Sequence, residues 1–246
     1  MKRKKILFVM VEGRSEETAF GVILGRLYPD AIVHLHVMHG DITASNKTHP
    51  SNIMSKITAE VKEFARSYGL KKQDFQEVIH LIDTDGAFVP PQKVHFSEKH
   101  RKIFYTEEKI LTAYPDQIEE RNKRKTANVN RLIETDRIWE SIPYQVYYMS
   151  TNLEHVLVGK LNCSNREKEK FAFHFAMTYK DHLPDFLHFM TGSPFSVDGD
   201  YRETWDFIEN KDHSLHRFSN YGLSLEPLIQ FPEELGPKTN PDRRSE

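Results

Sequence analysis

The chain carries a single cysteine, Cys163. No internal disulfide is therefore possible, and such usage predicts a reducing, cytoplasmic setting. The neighbours of Cys163, Asn162 and Ser164, bring no base that would activate a thiol, which argues against a nucleophilic role. Long apolar runs are also missing: none approaches the roughly 20 residues that cross a bilayer. The basic start Lys2-Arg3-Lys4-Lys5 precedes an apolar run, Ile6 to Val11, that is too short for a secretory signal and predicts a strand instead. Charge of one sign is lacking as well. At a net −2, nothing draws the whole chain to a polyanion, so any contact with nucleic acid would depend on local basic patches and metal ions. No internal repeat is present.

What is present suits a folded domain. Across 246 residues, 38% hydrophobic content is enough for one substantial core, or one core with a smaller appended unit. The continuous apolar run Ile6–Val11 predicts a strand covered on both faces. Ser15 is a candidate cap for a helix carrying Ala19, Phe20, Ile23, Leu24 and Leu27 at helical spacing, ended by Pro29. Ala31 to Met38 predicts a second strand, and Ser51 or Asn52 opens a helix through Ile57, Val61 and Phe64. Glu77 to Ile82 and Tyr144 to Met149 predict two further strands.

This β-α-β-α-β order predicts an α/β fold with a mostly parallel sheet flanked by helices. Residues of about 92–134 are strongly polar and predict a partly helical insertion within an α/β unit spanning 1–163. The aromatic-rich stretch 164–231 predicts a mostly helical C-terminal part, and 232–246, with its prolines and charges, a disordered tail.

In parallel sheets, functional groups collect beyond the carboxyl ends of the strands. Glu12 falls there, and so do Asp83 and Asp85. Carboxylates brought together repel: two unit charges about 4 Å apart cost roughly 1 kcal/mol in water and about 4 at an effective dielectric near 20. A cation between them removes that cost, and Mg²⁺ prefers one or two carboxylates, with water and phosphate completing its shell. Asp-x-Asp on a strand directs both side chains to one face. Gly13 and Gly86 leave room for a close-lying phosphate backbone. The plainer alternative makes Asp83 and Asp85 ordinary strand-ending turn residues.

The order Val11-Glu12-Gly13-Arg14-Ser15-Glu16, then Ile82-Asp83-Thr84-Asp85-Gly86, then Thr151-Asn152-Leu153-Glu154, resembles the TOPRIM domain. That domain occurs in topoisomerases, DnaG-type primases, small maturation RNases and OLD-family nucleases, and the closer likeness is to small bacterial RloB-like TOPRIM proteins. It covers about residues 4–88 and 143–160. The resemblance implies Glu12 as a metal ligand or general acid/base, Asp83 and Asp85 as Mg²⁺ ligands (Mn²⁺ being an alternative), and Glu16 and Glu154 as ligands of a second ion. It also implies cleavage of phosphodiester bonds in DNA or RNA, phage defence, an ATPase partner of the ABC or AAA type, and an optional homodimer. The chain departs from topoisomerases in having Gly86-Ala87 where a further acid often follows, and in lacking an evident tyrosine module.

Other basic residues are candidates for phosphate contact. Lys160 closes the helix begun by Asn152, and a solvent-facing lysine is the simpler account. Arg217 lies among Ser214, Ser219 and Asn220, where a structural turn is an equal alternative. The run Arg121, Lys123, Arg124, Lys125 has Phe104, Tyr105 and Tyr114 nearby, as single-stranded nucleic acid favours. A solvated helix face after Glu119 and Glu120 explains it equally well. His34 and His36 have a spacing some metal sites use, without a third ligand in sequence proximity. Two non-nuclease functions stand beside the first: a non-catalytic TOPRIM-like subunit that scaffolds or senses with an ATPase, and a metal-dependent nucleotide-sugar transferase using Asp-x-Asp.

Overall fold

A computed structural model describes residues 4–38, 40–210 and 213–229. The tail expected at 232–246 lies outside them. The apolar runs become strands β1 (Lys5–Val11), β2 (Ala31–Val37) and β3 (Phe75–Asp83), with helices α1 (Arg14–Leu27) and α2 (Ile53–Ser67) between them. The insertion forms β4 (Val94–Phe96), β5 (Phe104–Tyr105), β6 (Ile110–Thr112) and α3 (Pro115–Ile133). After it come β7 (Arg137–Ile138), β8 (Ile142–Met149), α4 (Leu153–Val158), α5 (Asn165–Tyr179), α6 (Leu183–Gly192), α7 (Tyr201–Glu209) and the short α8 (Glu226–Ile229).

The main sheet runs β2-β1-β3-β8-β7. Its first four strands are parallel, and only β7 is antiparallel, to β8. The chain is thus an α/β protein with a mostly parallel central sheet flanked by helices. Parallel register brings the carboxyl ends of β1, β2, β3 and β8 to one edge, and that edge positions the site.

Both faces of β1 are buried, which is why its sequence is continuously apolar. On one face, Leu7, Val9 and Val11 pack with Phe20 and Ile23 of α1 and with Phe175 and Phe186 of α5 and α6. On the other, Phe8 and Met10 pack with Ile57 and Val61 of α2, Val129 and Leu132 of α3, and Trp205 of α7. The insertion and the C-terminal helices therefore share the core of the strands. Packing of this kind supplies roughly 1.5–3 kcal/mol for each large side chain withdrawn from water. His34 and His36 lie on the β2 face toward α2: His34 stacks on Phe64 at 4.0 Å, and His36 meets Glu60 at 3.1 Å.

Three local expectations are corrected. Helix α1 begins at Arg14 with Gly13, rather than Ser15, as its cap, because Glu16 reaches back to the Gly13 amide at 3.1 Å. Gly86 makes room for a side chain: a Cβ there would stand 2.2 Å from Asn122 Oδ1, so only glycine lets α3 approach the β3 turn this closely. The insertion is also more than polar helix, since it carries the three-stranded sheet β4-β6-β5. Strands this short leave little period-two signal.

Candidate metal centre

Glu12 follows β1, Asp85 follows β3, and Asp41 lies beyond β2. One oxygen from each falls within 4.8 Å of the others. These three half-buried carboxylates form a set that could hold a metal ion. Oxygen-only donors suit a hard cation such as Mg²⁺ or Mn²⁺. Glu12 Oε1 is buried without a hydrogen-bond partner, which leaves lone pairs free for such an ion.

Membership differs from the expected Glu12, Asp83 and Asp85. Strand β3 ends at Asp83, and Asp85 adopts a left-handed conformation with φ 48°. The strand rule that residues two apart share a face therefore no longer applies. The turn is fixed by β8 and the segment after it: Thr84 N donates to Met149 O at 2.9 Å and Asp85 N to Thr151 O at 2.8 Å. Asp85 turns toward Asp41. Asp83 instead interacts electrostatically with Glu16, Glu12 and Asp85, and with Lys168 of α5.

The expected exposed basic run is corrected too. Arg121, Lys125, Val129 and Leu132 recur at helical spacing on the inner side of α3. Lys125 is fully buried, with Nζ 2.8 Å from Asp41 Oδ2, 3.1 Å from Asp85 Oδ2 and 3.6 Å from Glu12 Oε1. Arg121 adds contacts of 2.8 Å to Asp85 and 3.3 Å to Asp41. Arg124 donates to the Ala44 carbonyl. Lys123 alone of the four is exposed, beside an open cavity of about 710 Å³ that Phe88, Val89 and Pro91 also line. Arg217 donates to the carbonyls of Val156 and Leu157 and covers the Phe195 ring, rather than lying free in a turn. Lys160 is exposed and paired with Glu167.

Glu16 interacts electrostatically with Glu12 and with Glu154, and neither Glu16 nor Glu154 joins the triad. Glu16 is 7% exposed and Glu154 only 2%. Lys168 stands 2.8 Å from Glu154 Oε2, and Glu154 Oε1 has no partner. Burial pushes the Glu16 carboxyl above its ordinary value, and the charge of Glu154 adds to that. Burial, followed by Glu16, Glu12 and Asp85, likewise pushes Asp83 well up. Glu12 is raised by burial, against the pull of Lys125 and with the help of Asp41 and Asp85. Asp41 goes the other way: burial opposes its charge, but Lys125, Thr43 and Arg121 hold it below the usual carboxylate range. Six carboxylates thus face three cations; burial raises three of the six, and their neighbouring carboxylates add to it.

Sequence reasoning missed Asp41 and Lys168, and took Tyr105 only as an aromatic near the basic run; its hydroxyl donates to Asp85 Oδ1 at 3.3 Å. Asp41 had a signal, since it follows the carboxyl end of β2 as Glu12 follows β1. No family model, curated protein or solved structure matches the chain.

Proposed function

We propose that this chain is a Mg²⁺- or Mn²⁺-dependent nuclease of TOPRIM type that hydrolyses phosphodiester bonds in DNA or RNA. One observation carries the proposal: Glu12, Asp41 and Asp85 converge at the carboxyl ends of three neighbouring parallel strands, with Asp83, Glu16 and Glu154 beside them. The residues that would hold the ion are Glu12 with its neighbours on either side. A bound divalent ion would polarise the phosphate and lower the pKa of an attacking water. Burial raises the Glu12 and Asp83 carboxyls, the direction in which a carboxyl becomes a better proton acceptor. Lys168, paired with Glu154, supplies positive charge for the negative charge that builds up in the transition state. The likeness to RloB-like proteins adds phage defence and an ATPase partner to the proposal.

A second function is favoured by a different observation. Lys125 and Arg121 already neutralise much of the carboxylate charge, as in an ion-pair network that only holds α3 in place. On that account the chain is a non-catalytic subunit of an ATPase complex. The test is incubation of labelled tRNA and DNA pools with Mg²⁺ or Mn²⁺, comparing the native protein with Glu12→Ala, both checked for folding by circular dichroism. Metal-dependent cleavage that Glu12→Ala abolishes supports the nuclease. Cleavage that survives the substitution, or its absence from both proteins, defeats it.

A further inference from the structure

We propose that Lys125 is the resident cation of the Glu12–Asp41–Asp85 triad, a built-in substitute for one divalent ion, and that removing its charge opens a divalent-metal site there. This builds on the metal-dependent nuclease above only in what it leaves for the other carboxylates to do.

All four oxygens of Asp41 and Asp85 are engaged, while Glu12 Oε1 has no hydrogen-bond partner. Asp41 Oδ1 accepts from Thr43 Oγ1 at 2.6 Å and from the Ala44 amide at 2.9 Å, while its Oδ2 accepts from Lys125 and Arg121. Asp85 Oδ1 accepts from Tyr105, and its Oδ2 from Arg121 and Lys125. A Mg²⁺ or Mn²⁺ ion bound by these carboxylates would need to come within roughly 2.0–2.2 Å of their oxygens. An ammonium at 2.8 and 3.1 Å from two of them already fills that space.

The ammonium is held there by the fold. Lys125 has no solvent exposure. Helix α3 is tied down beside it: Asn128 Nδ2 donates to the carbonyls of Thr43 and Thr48, Arg124 to Ala44, and Thr126 Oγ1 accepts from the Phe88 amide. The bonds to Thr43, Ala44 and Thr48 join α3 to the loop that carries Asp41, and the Phe88 bond joins it to the segment after Asp85. Withdrawing the ammonium would leave three carboxylates with Arg121 alone. Lys125 is therefore a positioning residue, and in the native chain the Asp41 and Asp85 oxygens it occupies are closed to a divalent ion.

Asp41 belongs to the triad alone, so it reports occupancy there. The experiment is Mn²⁺ titration, followed by calorimetry and by the paramagnetic resonance of free Mn²⁺, on the native chain, Asp41→Asn, Lys125→Met and the Lys125→Met/Asp41→Asn double variant. The expected result is that Asp41→Asn shifts native Mn²⁺ affinity by well under the roughly tenfold that even an outer-shell partner costs. Lys125→Met gains one Mn²⁺ per chain, and the double variant loses it. Native binding abolished by Asp41→Asn, or a folded Lys125→Met with no added ion, overturns the proposal. Should Lys125→Met fail to fold, the Asp41→Asn arm decides: unchanged uptake supports the proposal and lost uptake overturns it. A native chain that takes up no Mn²⁺ would defeat the nuclease, while the gain in Lys125→Met would still decide the role of Lys125.

Discussion

The two halves of the acidic seam are made of the same chemistry and balanced differently. In the half holding Asp41 and Asp85, two cations from α3 meet the carboxylates directly, and Asp41 is held well ionised. In the half holding Asp83, Glu16 and Glu154, one partly exposed lysine serves three acids, and both Asp83 and Glu16 are pushed up by burial. Glu12 belongs to both. A carboxylate cluster is therefore better judged by how its charge is met than by how many acids it gathers. The first half resembles an internal ion-pair network, and in the second one lysine and burial-raised carboxyls share the charge.

The largest effect should come from breaking the balanced half. Lys125→Met leaves buried charge unpaired, a change that costs about 3–5 kcal/mol. Thermal unfolding without metal should show that loss, and Mn²⁺ should restore part of it. Lys168→Met should cost less, about 1–3 kcal/mol, because it leaves the buried Glu154 carboxylate without its partner. Denaturant unfolding checks that order, and a Lys168→Met loss equal to that of Lys125→Met would erase the distinction between the halves.

Opposite pH dependence sharpens the comparison further. The folded pKa of Asp41 lies below its ordinary 3.8, so its stabilisation is present above that value and lost as pH falls through the folded one. Asp83 is raised above 3.8, so its stabilisation is present below that value and lost as pH rises through the folded one. Without metal at pH 8, Asp83→Asn should therefore raise the melting temperature by about 2–4 °C, the shift that 1 kcal/mol gives a chain of this size. Asp41→Asn should lower it. Melting curves from about pH 2 to 8 check both signs. The smallest effect belongs to the surface: Lys160→Ala should leave melting and Mn²⁺ uptake unchanged, since its pair with Glu167 is solvent-exposed.

Much of the frame could be read from residue order. The runs at Ile6–Val11 and Glu77–Ile82 became β1 and β3 within a few residues. The rule that sites lie at carboxyl ends of parallel strands pointed to Glu12 and Asp85 from residue order alone. The contents of the site were less legible. Asp41 is a lone aspartate beyond a strand whose residues are only half-buried, so nothing marked that strand's end as strongly as the apolar runs of β1 and β3 did. Asp85 leaves the strand conformation, which a two-residue spacing cannot reveal. Lys125 and Arg121 were read as outward-facing, either toward nucleic acid or on a solvated helix face, because basic residues usually face solvent. Their continuity at i, i+4 with Val129 and Leu132 was the available sign that they point inward. The aromatics of the C-terminal third gave no hint that Phe175 and Phe186 would close over Phe20 of α1.

The most direct measurement is Mn²⁺ uptake by the native chain against Glu12→Gln, since Glu12 is the carboxylate common to both halves. Saturable binding in the native protein that Glu12→Gln removes, with folding intact, is the predicted result. Equal binding by the two proteins, or none by the native chain, would contradict a divalent ion held at these strand ends.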